Sequence, residues 1–198
     1  MTLLESLASP TEREASIAVL ETERLVLRAP RFEDAKIVAK LANDRRISDN
    51  TMRIPHPYRT ADAEAFIASA NRGGEMTFLI TLGDEPIGAC GLAQIDGPAA
   101  DLGYWLGTPF WGSGYATEAA RAVIDYAFSD LGHGAIQSGA RVTNPASRRV
   151  LEKCGFQWTG VGLYRIRAIN SSAPIDRFRL ERSIWASLKS WGKVRRVA

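Results

Sequence analysis

The segment Trp111–Thr117 (WGSGYAT) has the residue types and spacing to bind an anion. Two glycines and an alanine let its backbone approach a ligand without an intervening Cβ atom. A helical pattern begins at about Tyr115, so the free N–H groups of the helix start would face that ligand, where the helix dipole also favours negative charge. The segment therefore predicts a phosphate-binding loop between a strand and a helix.

Spacing separates the kinds of phosphate loop that share this physics. A Walker A loop needs a Gly-Lys-Ser/Thr end, and the segment has none. A dinucleotide fingerprint needs a third glycine where Thr117 stands and an acidic residue at the end of the next strand, but that strand ends in Arg141 and Val142. For the loop taken alone, a glycine-rich turn that binds nothing remains an alternative.

The segment Asn144–Phe156 (NPASRRVLEKCGF) predicts a short helix with well-defined ends. Asn144 suits the N-cap and Pro145 the first helical position, while Gly155 stands just past the end. Cys154, in the last turn, is expected to lie in the core.

These two segments resemble motifs A and B of the GNAT (GCN5-related) N-acetyltransferases. Motif A, R/Q-x-x-G-x-G/A, matches Trp111–Ala116, although Trp111 stands where Arg or Gln is usual. Motif B, N-x-x-S-x-x-x-L-x-K-x-G-F, matches Asn144–Phe156. The form WGxGYATEA and the opening strand TERLVLR (Thr22–Arg28) are similar to the branch that contains the ribosomal-protein N-terminal acetyltransferases.

The resemblance implies a single α/β (α+β) domain. Its expected sheet is mixed but mostly antiparallel, with six to seven strands, about four flanking helices, and a fourth and fifth strand that splay apart. Acetyl-CoA is the implied co-substrate, with its diphosphate on the loop and its pantetheine between the splayed strands. The implied coenzyme-binding residues are Tyr104, Trp105, Leu106, Trp111, Gly112, Ser113, Gly114, Tyr115, Ala116, Thr117, Asn144 and Ser147.

The implied reaction is the attack of a neutral amine on a thioester carbonyl. It needs a proton acceptor, donors for the oxyanion and a proton for the departing thiolate. Asp101 aligns with an acidic position of this branch and is the predicted base, directly or through water; a strand-start residue paired with an arginine is the alternative. The predicted oxyanion donor is a backbone N–H near Leu106, because the family's strand bulges there.

The predicted general acid departs from the common family pattern. Many GNAT enzymes have a tyrosine in the motif B helix where this chain has Leu151. Ser147, one turn earlier, is the predicted replacement, since the ribosomal-protein branch has a serine there. Two alternatives stay open: the Ser147 hydroxyl only bonds the helix or the coenzyme, and water protonates a thiolate whose thiol has a pKa of about 8.5. Asn144 also has two alternative roles, which are capping of the helix and contact with pantetheine.

The acceptor site is predicted from the loop before the second helix, which the resemblance places at one wall of that site. Arg53, His56 and Tyr58 are its candidate contacts, with an ordinary surface role as the alternative for each. The predicted acceptor is a protein N-terminal α-amine. A small-molecule amine such as an antibiotic or a polyamine, and a non-catalytic acyl-CoA-binding regulatory module, are the alternatives.

The elements that position these residues follow from apolar periodicity and turn residues. The predicted strands are Thr22–Arg28, Met76–Leu82, Pro86–Ile95, Asp101–Leu106, Ala135–Val142, Phe156–Tyr164 and Arg177–Arg182. The predicted helices are Pro30–Ala42, Thr60–Asn71 with Thr60 as its cap, one that starts at Tyr115, and the motif B helix. Glu118 is predicted to face away from the phosphate loop and to be structural.

Composition limits the remaining functional classes. The 198 residues suit one domain, and a net charge of +3 from dispersed Lys and Arg argues against a nucleic-acid partner. We divide the chain into an N-terminal extension (1–20), the acetyltransferase domain (21–185) and a basic tail (186–198). Two cysteines and two histidines without ligand spacing predict neither a metal site nor a disulfide framework.

Hydropathy and charge also give an expected location. No apolar stretch approaches the roughly twenty residues that cross a bilayer, and Glu5 and Glu12 interrupt any signal-peptide core. We therefore expect a cytoplasmic protein with no membrane partner. The oligomeric state is open, with a homodimer as one alternative.

Overall fold

One eight-stranded sheet forms the centre of the protein in the computed structural model, which describes residues 18–72, 75–95 and 99–191. The strands are β1 (Leu20–Glu21), β2 (Leu25–Arg28), β3 (Glu75–Leu82), β4 (Glu85–Gln94), β5 (Ala99–Leu106), β6 (Ala135–Arg141), β7 (Gln157–Ile166) and β8 (Ser171–Glu181). They are arranged in the order β1-β2-β3-β4-β5-β6-β8-β7. Neighbouring strands are antiparallel except β5 and β6, which run parallel.

Six helices cover the two faces of this sheet. They are α1 (Ala35–Ala42), α2 (Arg45–Ser48), α3 (Thr60–Asn71), α4 (Tyr115–Ser129), α5 (Pro145–Lys153) and α6 (Arg182–Trp191). The main core lies between the sheet and α4, α5 and α6, whereas a second cluster packs α1 and α3 on the other side. Because strand side chains alternate between faces, β5 sends Leu102 and Leu106 into the main core and Trp105 into the second cluster.

A gap opens in the middle of the sheet where β5 and β6 separate. The two strands pair only from Ala99–Ala135 to Leu102–Ser138. β5 continues to Leu106, still paired with Gly88 of β4, while β6 continues to Arg141. Beyond Leu102, the edge of β5 that faces β6 therefore has no strand partner in the described part of the chain. β5 and β6 are the fourth and fifth strands of the sequence prediction, because β1 was not predicted, so this gap is the splay that the family resemblance implies.

Local signals set the ends of the motif B helix as predicted. The Asn144 side chain accepts a hydrogen bond from the Ser147 N–H at 3.1 Å, and Pro145 is the first residue of α5. Gly155, just after the helix, has a φ of +90°, a left-handed conformation that favours glycine. The predicted cap of α3 is wrong: Thr60 is its first helical residue, and Arg59 is the N-cap, whose N–H donates to the Asp62 carboxylate at 2.9 Å.

The fold class is confirmed, with more elements than predicted. The sheet has eight strands rather than six to seven, because the two-residue β1 pairs with the edge of β2. The described residues contain six α-helices rather than about four. The two additional ones are α2, in the segment predicted as a loop, and α6, which spans the predicted boundary between the domain and the tail at residue 185. Residues 1–17 of the predicted N-terminal extension and residues 192–198 of the basic tail lie outside the described residues.

None of the helices in the described ranges is both long enough and apolar enough to span a membrane. Cys154 is buried in the main core, as predicted, with Cys90 beside it. Burial raises the pKa of the Cys154 thiol to about 11 and raises that of Cys90 further. Both thiols are therefore protonated packing groups at neutral pH.

Candidate active site

The loop between β5 and α4 has the backbone geometry of an anion site. Gly112 and Gly114 have φ angles of +80° and +84°, a conformation that side chains rarely adopt. Gly114 is the N-cap of α4, and the first bond of that helix runs from the Glu118 N–H to the Gly114 carbonyl at 3.1 Å. The N–H groups of the preceding turn therefore have no helical acceptor and point out of the helix start. The predicted cradle has the geometry to bind a diphosphate.

The residues that lead into β2 hold this loop in place. The Glu118 carboxylate accepts hydrogen bonds from the Thr22 hydroxyl at 2.7 Å, the Arg24 backbone N–H at 2.9 Å and the Arg24 Nε at 2.8 Å. The same guanidinium donates to the Ser113 carbonyl at 3.1 Å and lies 4.5 Å from the centre of the Tyr115 ring. Burial alone would raise the pKa of Glu118, but the bonds from Thr22 and Arg24 outweigh it and lower the pKa. Glu118 is structural, as predicted.

The end of β5 presents backbone groups to the gap. The Gly107 N–H donates to the Ile87 carbonyl at 2.8 Å, so by strand alternation the Leu106 N–H points away from β4 and into the gap. The Leu106 carbonyl accepts the indole N–H of Trp111 at 2.8 Å. The pairing of β5 with β4 is unbroken from Gly88 to Gln94, so the predicted bulge near Leu106 is wrong. The splay of β6, rather than a bulge, frees this amide.

Ser147 and Tyr104 meet on the α5 side of the gap. Their hydroxyl oxygens are 2.9 Å apart, and the Tyr104 hydroxyl donates to the Ser147 carbonyl at 3.1 Å. Burial raises the pKa of Tyr104, so the phenol is protonated at neutral pH. Leu151, at the family's tyrosine position, is fully buried in the main core. A phenol from β5, rather than one from α5, therefore contacts Ser147.

Asp101 lies on the opposite face of β5, toward the α1 and α3 layer. Its side chain is only 19% exposed, and its Oδ1 atom is buried without a hydrogen-bond partner among the described residues. The nearest cation is Arg177, whose Nη2 lies 3.6 Å from Oδ1, beyond hydrogen-bond distance, and donates to Gln137 at 3.0 Å. Burial raises the pKa of Asp101, and the charges of Arg177 and Arg53 offset only part of that rise.

The three candidate acceptor contacts lie in different surroundings. Arg53 is exposed and forms a 2.6 Å ion pair with Glu75, and both charges act on Asp101. His56 is exposed in the loop before α3. Tyr58 is a core residue, 8% exposed, that packs with α1 and α3, and burial raises its pKa to about 12. Tyr58 is therefore the least exposed of the three, and its contact with the acceptor stays a prediction.

Trp105, predicted to contact the coenzyme, faces away from the phosphate loop. Its side chain packs in the second cluster on the α1 and α3 side. Its carbonyl oxygen lies against Gly88 of β4, so its backbone also points away from the gap. The contact of Trp105 with the coenzyme stays a prediction without support from this orientation, whereas the flanking Tyr104 and Leu106 face the gap.

The match to a family model decides the identity of this site. Residues 24–157, which include the loop, the gap and α5, match the model described as an acetyltransferase (GNAT) domain. The chain is a GNAT acetyltransferase. It is also 31% identical over 150 residues to the N-acetyltransferase p20 of Bacillus licheniformis, covering 72% of this chain and 84% of that protein.

Solved structures share the fold of this GNAT enzyme. RimJ of Mycobacterium smegmatis, in complex with CoA-disulfide, superposes with a TM-score of 0.76 at 19% identity, covering 89% of this chain and 96% of RimJ. RimL, described as a ribosomal L7/L12 alpha-N-protein acetyltransferase in complex with coenzyme A, superposes with a TM-score of 0.74 at 18% identity, covering 83% and 98%.

The GNAT enzyme uses acetyl-CoA, and the residues present fit that co-substrate. The positive φ angles at Gly112 and Gly114 leave a concave backbone with unpaired amides at the start of α4, which suits a diphosphate. The gap beyond Leu102 leaves backbone groups of β5 that can pair with the amides of pantetheine. No group of three or more His, Cys, Asp or Glu side chains in the described ranges could hold a metal ion.

Sequence reasoning missed two arginines of this site. Arg24 was recognised only as part of the opening strand, although the TERL pattern was a signal that this residue has a specific role. Arg177 carried no signal, because its position beside Asp101 depends on the pairing of β8 with β6. Ionic contacts between distant segments are set by strand register, which composition and periodicity do not determine.

Proposed function

We propose that this GNAT enzyme acetylates the α-amine at the N-terminus of a protein, with Asp101 as the group that accepts the amine proton. The observation that carries the proposal is the buried Oδ1 atom of Asp101, which lies on the face of β5 away from α4 and α5 and has no hydrogen-bond partner among the described residues, its ion-pair contact with Arg177 being 3.6 Å long. A buried polar atom without a partner is costly. A donor N–H from the acceptor would satisfy it.

Coenzyme binding, stabilisation of the oxyanion and removal of the amine proton are assigned to residues on the two faces of the gap. Acetyl-CoA supplies the acetyl thioester, and the amides of Gly112–Thr117 at the start of α4 hold its diphosphate. The Leu106 N–H, which points into the gap, donates to the carbonyl oxygen as negative charge develops there. The Asp101 carboxylate removes a proton from the amine, directly or through water, and its raised pKa makes it a stronger base than an exposed aspartate.

The protonated Ser147 and Tyr104 pair is the proposed source of the proton for sulfur. The 2.9 Å contact lets the Tyr104 oxygen hold the Ser147 hydroxyl in place; when the phenol turns its single proton from the Ser147 carbonyl to the Ser147 Oγ, the serine proton is free to reach the sulfur. Asn144 fixes the same serine through the first turn of α5. Its proposed role is capping, with coenzyme contact through its remaining amide group.

The N-terminal acceptor is supported by two likenesses. The segments WGSGYATEA and TERLVLR are similar to the ribosomal-protein branch, and RimL, which shares the fold, is described as acting on a protein α-amine. On the acceptor face, the exposed residues Arg53 and Glu75 form a rim near Asp101 that carries one positive and one negative charge. A mixed rim suits the peptide backbone that follows an N-terminal amine better than it suits a polycation.

A matched panel of amines tests this proposal. The full chain is incubated with acetyl-CoA and a peptide with a free N-terminus, the same peptide with a blocked N-terminus and a free lysine, or spermidine, and thiol release and product mass are measured. We expect acetylation of the free α-amine alone. Turnover of spermidine only would identify a small-molecule acetyltransferase, and calorimetric binding of acetyl-CoA without any turnover would identify a binding module.

A further inference from the structure

One glycine of the sheet has no explanation within the protein. Six glycines lie inside the described strands: Gly88, Gly91, Gly103, Gly139, Gly160 and Gly162. A Cβ atom at Gly91, Gly139 or Gly162 would stand 2.5–2.7 Å from a neighbouring atom, and one at Gly88 would be closer still to the Trp105 carbonyl. Gly160 has a φ of +140°.

Gly103 has neither reason to be a glycine. No atom of the described residues lies within 4 Å of the position that its Cβ would occupy, and its φ is outside the left-handed region. A glycine inside a strand weakens that strand, because it adds backbone entropy to the unfolded chain and has no side chain to pack. A strand glycine with open space above it is expected where a ligand comes close to the backbone.

The position of Gly103 indicates which ligand that is. It is the first residue of β5 after the pairing with β6 ends at Leu102–Ser138, so it lies at the opening of the gap. By strand alternation its open side faces the same way as the side chains of Asp101 and Trp105. The Oδ1 atom of Asp101, which lacks a hydrogen-bond partner among the described residues, is thus on the same face as the empty space. Asp101 is the residue on that face that precedes Gly103.

We infer that Gly103 determines acceptor specificity: the carbon that bears the amine lies over Gly103 while the amine donates to Asp101. This inference rests on the proposed function. The α-carbon of a peptide N-terminus carries two carbon substituents unless the first residue is glycine. Space above Gly103 lets such a branched carbon approach the thioester, whereas a side chain at position 103 would occupy the volume of one substituent.

Two peptides that differ only in the first residue, alanine or glycine, test the inference with Gly103→Val and Gly103→Ala. We expect Gly103→Val to lower kcat/KM for the alanine peptide at least ten-fold, mainly through KM, and for the glycine peptide less than three-fold. Gly103→Ala should give the same ranking with smaller effects. The Kd of acetyl-CoA and the Tm should stay at wild-type values or, for the Tm, rise. Gln157→Val, which places the same side chain at an exposed position of β7, is the matched control.

The outcomes separate this inference from the proposed function. Equal losses for both peptides, or no loss for either, would overturn the role of Gly103 and leave the transferase intact. A loss of acetyl-CoA affinity in Gly103→Ala would overturn it too, because it would place the coenzyme rather than the acceptor over the glycine. If the wild-type enzyme acetylates neither peptide, the proposed acceptor is wrong and the inference fails with it.

Discussion

The two faces of the sheet at the gap differ in how completely their polar groups are paired. On the α4 and α5 face, Glu118, Ser147 and the indole of Trp111 all have hydrogen-bond partners within the protein. In the described part of the chain, the buried side-chain atoms without a partner are Asp49 Oδ1, Asp101 Oδ1 and Arg141 Nε. Asp101 and Arg141 project from the other face, and Arg141 Nη1 donates to the Asp49 carbonyl at 2.6 Å.

Under the proposed function, this difference corresponds to two modes of substrate recognition. The coenzyme face consists of backbone amides that the fold already holds in place. Binding of the coenzyme therefore loses little conformational entropy of the protein. The acceptor face retains polar atoms whose hydrogen bonds must come from the substrate. We expect changes in the loop at the start of α4 to alter the affinity for acetyl-CoA, and removal of the Asp101 carboxylate to alter turnover.

Removal of the carboxylate on the acceptor face should have the largest effect. We expect Asp101→Asn to lower kcat/KM by about 10²-fold or more, the usual contribution of a general base. In the wild-type enzyme, the rate should fall as the pH falls through the raised pKa of Asp101, and this limb of the pH–rate profile should vanish in the variant. Glu75→Gln, which removes an exposed carboxylate from the same face, should keep the limb but move it to lower pH, because the Glu75 charge contributes to the raised pKa of Asp101.

The same variant also gives a prediction for stability. Because the folded state raises the pKa of Asp101, it binds that proton more tightly than the unfolded state, and stability falls as the pH rises through this range. Asp101→Asn should therefore have a Tm at neutral pH equal to or above that of the wild-type enzyme. An unchanged pH limb together with a lower Tm would show that Asp101 is a structural residue.

A side chain in the phosphate loop should have the next largest effect. The quantity that it changes is the affinity for acetyl-CoA. Gly114→Val places a side chain where φ is +84°, so we expect the free loop to relax out of this left-handed conformation. Restoring it on binding then costs about 1–2 kcal/mol, or roughly ten-fold in affinity. Calorimetry should show this loss in the Kd of acetyl-CoA. Gly132→Val, at φ +74° near the far end of α4 with open space around it, imposes similar strain and should leave the Kd unchanged. Equal effects of the two would contradict the cradle.

Loss of the paired hydroxyl on α5 should have the smallest effect. We expect Ser147→Ala to lower kcat by roughly three- to ten-fold with little change in the Kd of acetyl-CoA, because water can still protonate a thiolate of modest basicity. Tyr104→Phe should match it if the two hydroxyls act as one unit. Ser187→Ala, which removes an exposed hydroxyl from α6, is the control. A wild-type kcat in Ser147→Ala would leave the serine as a packing group.

Local signals were sufficient for the motif B helix and for the glycines of the phosphate loop, but not for the contacts of Arg24 that hold this loop. The cap at Asn144, the left-handed Gly155 and the glycines of the loop each act within a few residues, so their conformations follow from the sequence alone. The acceptor face depends on tertiary pairing instead. The burial of Tyr58 and the approach of Arg177 to Asp101 are set by packing and register between distant segments. Periodicity also misses α2, which has only four residues.

The bridge from Arg24 to Ser113 and Glu118 joins segments 89 to 94 residues apart along the chain. Local opening of the first sheet strands must break this bridge and so disturb the loop that grips the coenzyme. A ligand that binds only the closed loop shifts that equilibrium by mass action. Acetyl-CoA would therefore stabilise β1 and β2 against local opening. Depletion of acetyl-CoA would make these two strands more accessible to proteases.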